Sequence, residues 1–248
     1  GYYSIYKSDR YGFNNPDNEW DEKETEYLLV GDSFTHGACV NRPNDISSVL
    51  RNLSNKSVLN LGMSGNGPLI EYATLREYLN TGVKKVLWIY YGNDLVNLEN
   101  EKKNNILIKY LKDLNFTQNL KFKQNNIDSL LSNLIKERER EKQNSKFNLI
   151  KFIMMSNTKH AILPAPSTVP TPEFKKILQL TKELTNKNNS KLYFIYLPES
   201  IRYKTAYKDT NYNLVKNIIT ELKIPFIDIH KEVFEKEQNP LKLFPFEL

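Results

Sequence analysis

The run Tyr27-Leu28-Leu29-Val30-Gly31-Asp32-Ser33-Phe34-Thr35-His36-Gly37 is an apolar stretch that stops on a glycine, with a serine two residues later. At a strand-to-helix junction, a serine so placed has its hydroxyl lifted off the end of a buried strand. Unpaired N–H groups at a helix start favour negative charge nearby. Ser33 therefore has the position of a nucleophile toward an acyl carbonyl. Asp32 and Ser33 are equally the residue types that cap helices. The choice turns on whether partners fall where acyl chemistry needs them.

Five short apolar runs read as buried strands: Tyr27 to Val30, Val58 to Leu61, Val86 to Tyr91, Leu192 to Leu197 and Ile224 to Ile229. They lack clean alternation, as strands covered on both faces do. Helical spacing fills the gaps. Ile46 to Leu53 follows Asn44 as N-cap, and Leu69 to Leu79 follows Gly67-Pro68. Glu173 to Leu184 follows Thr171-Pro172, and Tyr212 to Leu222 precedes the fifth run. Alternation of this kind predicts a parallel sheet with right-handed crossovers, an α/β/α sandwich of three layers.

The third connection is too long for one crossover. Residues from about 98 to 170 are expected to form a helical insertion, with helices over Asn105 to Leu114 and Ile127 to Lys142. An apolar stretch, Phe147 to Met155, and the proline-rich run Leu163 to Pro170 complete it. The insertion is expected to share the main core in a single domain spanning 1–248. Residues 1–24, rich in Tyr and Asn near the start, read as an extended arm packed on that domain.

Ligands of open α/β sheets gather at the carboxyl ends of the strands. The first strand delivers Ser33, the second Gly62, and the third Gly92-Asn93-Asp94. The fourth delivers Glu199, and the fifth Asp228 and His230. A tetrahedral oxyanion needs donors about 3 Å away. The Ser33 N–H, the Gly62 N–H and the Asn93 carboxamide could supply them. Taken singly, Gly62 and Asn93-Asp94 are also ordinary turn residues. Their succession on three consecutive strand ends favours the site.

Gly31-Asp32-Ser33, Gly62 and Gly92-Asn93-Asp94 resemble the first three sequence blocks of the SGNH, or GDSL-type, hydrolase superfamily. The resemblance implies a flavodoxin-like sandwich around a five-stranded parallel sheet, with esterase, lipase or O-acyltransferase chemistry. It implies Ser33 as nucleophile and oxyanion donor, with Gly62 and Asn93 completing the hole, and no cofactor or metal. The third block departs in spacing, since Gly92 abuts Asn93. A larger departure concerns the general base: no Asp-x-x-His occurs in the chain. Either His230, with Asp228 two residues before it, serves Ser33, or the histidine lies beyond Leu248. Strand and helix accounting favours the latter, a sequence cut short before a final helix. A non-catalytic SGNH-like module binding glycan or protein is the alternative function.

Composition narrows the partners. The 248 residues carry a formal charge of +6, yet Lys136-Glu137-Arg138-Glu139-Arg140-Glu141-Lys142 alternates in sign, as solvated helix faces do. No nucleic-acid motif is present. No apolar window is long enough to span a bilayer. The start at Gly1-Tyr2-Tyr3 without Met leaves room for a leader or anchor. The resemblance implies a bacterial envelope setting, periplasmic, secreted or anchored. One cysteine, Cys39, excludes an internal disulfide and reads as a small packing residue, and the three histidines lack metal-ligand spacing. His36 reads as a half-exposed surface residue. The arm's aromatics and Tyr90-Tyr91 could stack on a sugar, which makes O-acylated carbohydrate a substrate to expect.

Overall fold

Five parallel strands form one sheet in the order β2-β1-β3-β4-β5. They are β1 (Thr25–Gly31), β2 (Val58–Asn60), β3 (Val83–Tyr90), β4 (Lys191–Tyr196) and β5 (Phe226–Asp228). This is the flavodoxin-like doubly wound order, in which the direction of strand addition reverses between β1 and β3. The computed structural model describes residues 5–144, 169–204 and 211–244. The Phe147 to Met155 stretch, His160 and most of the Leu163 to Pro170 run lie outside the described residues.

Nine helices connect and follow the strands among the described residues: α1 (Ser33–His36), α2 (Ile46–Ser54), α3 (Pro68–Tyr78), α4 (Asp94–Glu101), α5 (Asn105–Lys112), α6 (Gln124–Asn144), α7 (Pro172–Lys187), α8 (Tyr212–Glu221) and α9 (Ile229–Glu232). Alternate residues of each strand serve opposite faces. Leu29, Val58, Leu87 and Ile89 pack on one face with Leu50 of α2. On the other face Tyr90 meets Phe174 of α7, and Tyr196 meets Tyr212 of α8. Helices therefore cover both faces, as expected for the sandwich.

Two boundaries differ from the sequence expectation. The N-cap of α2 is Asp45, not Asn44: its buried carboxylate accepts the Ser48 N–H at 3.0 Å. A full helix, α4, begins at Asp94, immediately after the third strand-end loop and earlier than the expected insertion. The chain also divides into two compact units, residues 1–117 with 168–248, and residues 118–167.

The segment ahead of β1 carries its own hydrogen-bond hub. Buried Asp9 accepts the N–H groups of Tyr11 and Phe13 at 2.9 Å each, the Asn15 carboxamide at 2.8 Å and the Trp20 indole at 2.7 Å. Asn15 then pairs with the β2 backbone, donating to Asn60 O at 2.9 Å and accepting from Asn60 N at 2.8 Å. The rings of Tyr11, Phe13 and Trp20 meet edge to face, Tyr11 with Trp20, and both Tyr11 and Phe13 with Tyr78.

Candidate active site

Ser33 opens α1 directly behind Asp32, which is 1% exposed. Asp32 accepts the Phe34 N–H at 3.0 Å and the Ser33 hydroxyl at 3.2 Å. The cap thus serves Phe34, and the Ser33 N–H stays among the first-turn donors that have no helical acceptor. The turn is tight because two glycines admit Thr35. A Cβ on Gly31 would lie 2.1 Å from Thr35 Oγ1, and one on Gly62 would lie 2.6 Å from Thr35 Cβ. The ends of β1 and β2 are therefore locked together through a single threonine.

The third strand end meets the first through aromatic contact, with the Phe34 and Tyr91 ring centroids 4.4 Å apart. Asn93 stands at the N-cap position of α4 but makes no capping bond with its side chain. Its Oδ1 is buried without a hydrogen-bond partner. Asn93 thus occupies a cap position without capping, at the end of β3 beside the switch point between β1 and β3. Gly92 lets the fourth strand end in as well: a Cβ there would overlap Glu199 Oε1, at 1.8 Å.

The other expected residues are placed differently. The Gly62 N–H donates to Asn60 Oδ1 at 2.8 Å, so it serves its own turn, and an oxyanion would have to share it. His230 and Asp228 are not within hydrogen-bond distance of Ser33. β5 lies three strand positions from β1, roughly 14 Å across the sheet. His230 is 8% exposed, with Nδ1 at 2.8 Å from the Tyr203 hydroxyl and Nε2 at 2.9 Å from Glu235 Oε1. Burial holds its pKa below the ordinary imidazole value, with Arg202 reinforcing the effect. Asp228 accepts the Tyr212 hydroxyl and caps α9 through the Lys231 N–H.

His36 is buried, not a surface residue. Its Nε2 meets the Tyr6 hydroxyl at 2.6 Å and its Nδ1 meets Ser64 Oγ at 2.9 Å, and burial lowers its pKa. The arm, α1 and the loop after Gly62 are tied through one ring. Tyr90, 1% exposed and stacked on Phe194 and Tyr196, is core rather than a sugar platform. Cys39 is exposed and borders a cavity of about 210 Å³ beside Ser33. Phe34, Ala38, Val40 and Ile46 supply most of its apolar wall.

No protein-family model matches the chain, and no curated protein matches it in sequence. Solved structures do. A lipolytic protein of the G-D-S-L family from Desulfitobacterium hafniense DCB-2 aligns at a TM-score of 0.43 and 13% identity, over 84% of this chain and 79% of its own. A catalytic mutant of an acetylxylan esterase from Geobacillus stearothermophilus aligns at 0.42 and 15% identity, over 88% and 84%. A protein from Lactobacillus plantarum aligns at 0.39 and 11% identity, over 85% and 79%. Among the described residues, no helix is long and apolar enough to cross a membrane.

Proposed function

We propose that this chain is a serine-dependent ester hydrolase of the SGNH type, with transfer of the acyl group to an alcohol as a variant of the same step. What supports the reading is that the Asn93 side chain makes no capping bond, on a strand-end loop whose Tyr91 ring meets Phe34 of the Ser33 turn at 4.4 Å. Ser33 Oγ adds to the acyl carbon and the oxyanion takes donors from the Ser33 N–H and the Asn93 amide. A preorganised donor of this kind is worth about 3 kcal/mol of barrier. Collapse releases the alcohol, and water or a second alcohol then takes the acyl group from Ser33. The apolar cavity beside Ser33 suits the acyl side, and O-acylated carbohydrate remains the alcohol side to test first.

The proton of Ser33 needs an acceptor. Among the described residues the hydroxyl has one, Asp32. The rings of His36 and His230 are engaged with Tyr6, Ser64, Tyr203 and Glu235. That observation favours a second reading, a non-catalytic module of the same fold that binds a glycan or protein partner in the same cleft. Turnover of p-nitrophenyl acetate separates the two. The hydrolase shows turnover that Ser33→Ala removes, whereas equal rates for the two proteins would leave only the binding module.

A further inference from the structure

Behind the Ser33 and Asn93 loops lies a group of acids that the chemistry above does not use. Glu71 in the first turn of α3 is 1% exposed, and neither of its oxygens has a hydrogen-bond partner. Asp94, at the start of α4, is fully buried, and its Oδ1 is also unpartnered. Its other oxygen accepts the Tyr91 N–H at 3.0 Å while the Asp94 N–H donates to Tyr91 O at 3.0 Å. This reciprocal pair closes the turn that holds Asn93.

The neighbouring acids have hydrogen-bond donors. Glu101 accepts the Gly67 N–H at 2.6 Å and the Leu69 N–H at 2.9 Å, and so anchors the start of α3. Asp32 has the Phe34 N–H and the Ser33 hydroxyl. A bare carboxylate at Glu71, with no donor and other anions close by, would be very costly in such a place. A carboxyl that keeps its proton removes the charge and supplies a donor. Among the described residues, no group of three His, Cys, Asp or Glu is placed to hold a metal ion.

We propose that Glu71 is held as the neutral acid, sharing its proton with Asp94, and that this proton positions the Tyr91–Asp94 turn presenting Asn93. Glu71 is then a positioning residue, and the inference rests on the reading that Asn93 serves the acyl carbonyl. The charged groups acting on Glu71 are Asp94 and Glu101 from α4 and Asp32 from the β1 end, and Asp94 also faces Glu199 after β4. All are acids, so each favours retention of the proton. Burial is the largest cause and lifts both Glu71 and Asp94 well above ordinary carboxyl values.

The test is carbon-13-edited infrared spectroscopy of the intact protein at neutral pH, with Glu71→Gln and Asp94→Asn in parallel. A carboxylic-acid carbonyl band is expected in the wild-type protein, lost in Glu71→Gln and shifted in Asp94→Asn. Turnover of p-nitrophenyl acetate is followed across pH in the same samples. Glu71→Gln, which mimics the neutral acid, is expected to change kcat by less than about tenfold at neutral pH. It is also expected to remove the alkaline fall that loss of the shared proton causes in wild type. An ionised Glu71 in the infrared spectrum overturns the proposal, as does an unchanged alkaline limb in Glu71→Gln. If no protein turns over the ester, the hydrolase reading fails while the infrared band still decides where the proton is.

Discussion

Gly62 shows how a single missing Cβ shapes the site. The sequence marked it as an oxyanion donor, but its main structural demand is space for Thr35 and for the His36 N–H, 2.7 Å from where a Cβ would sit. Gly62→Ala is expected to destabilise the fold by about 1–3 kcal/mol, because the backbone of α1 must move. Denaturant unfolding would measure it, and an unchanged midpoint would show that the contact is not tight. The strand-end positions of Ser33 and Asn93 were legible because strand ends advertise themselves through apolar runs followed by turn residues. Glu71 was not legible. A glutamate in the first helical turn ordinarily complements the helix N-terminus, and only the packing of α3 against α4 reveals its burial. The exposed Cys39 likewise gave no sign that the turn after α1 borders a cavity.

At the level of elements, the strands were readable to within a few residues, and the helices of the crossovers equally so. What escaped was α4, because Gly92-Asn93-Asp94 reads as a loop and its helix has a weak apolar stripe. The arm was expected to pack, but its fastener was hidden: Asp9 serves four donors drawn from residues 11–20. Asp9→Ala leaves those donors buried without an acceptor, at about 1–3 kcal/mol each where water cannot reach. Proteolysis near the N-terminus should then accelerate, and an unchanged cleavage rate would argue against the hub. Tyr6→Phe removes only the hydroxyl at His36, a loss of about 1 kcal/mol measurable in the same unfolding assay. The α2 cap offers a parallel test, since Asp45→Ala should cost about 1 kcal/mol.

Across the whole molecule, the buried acids and histidines pull stability in opposite directions with pH. Glu71, Asp94 and Glu101 have raised values in the folded chain, so the unfolded chain releases protons first. Their contribution is fully present below their unfolded values, about pH 4.5 for the glutamates and about pH 3.8 for Asp94, and is lost as pH rises through the folded values. His36 and His230 are depressed, so theirs is present above about pH 6.5 and is lost on acidification. Glu71→Gln is therefore expected to match wild type in melting temperature in acid and to exceed it increasingly toward neutral pH. Each proton involved steepens the difference by about 1.4 kcal/mol per pH unit. Parallel melting curves at all pH values would mean that Glu71 ionises normally.

The parallel sheet followed from the pattern of runs, and its flavodoxin-like order from the resemblance. The general base did not, because a histidine's partners depend on where a loop folds back. His230 is placed by Tyr203 and Glu235 rather than by its spacing from Asp228. The most direct test of the site is fluorophosphonate modification of the intact chain, with the labelled residue mapped by mass spectrometry. Covalent label on Ser33, lost in Ser33→Ala and diminished in Asn93→Ala, is the expected result. Label absent from Ser33 in protein that turns over an ester would contradict the assignment of this serine as nucleophile.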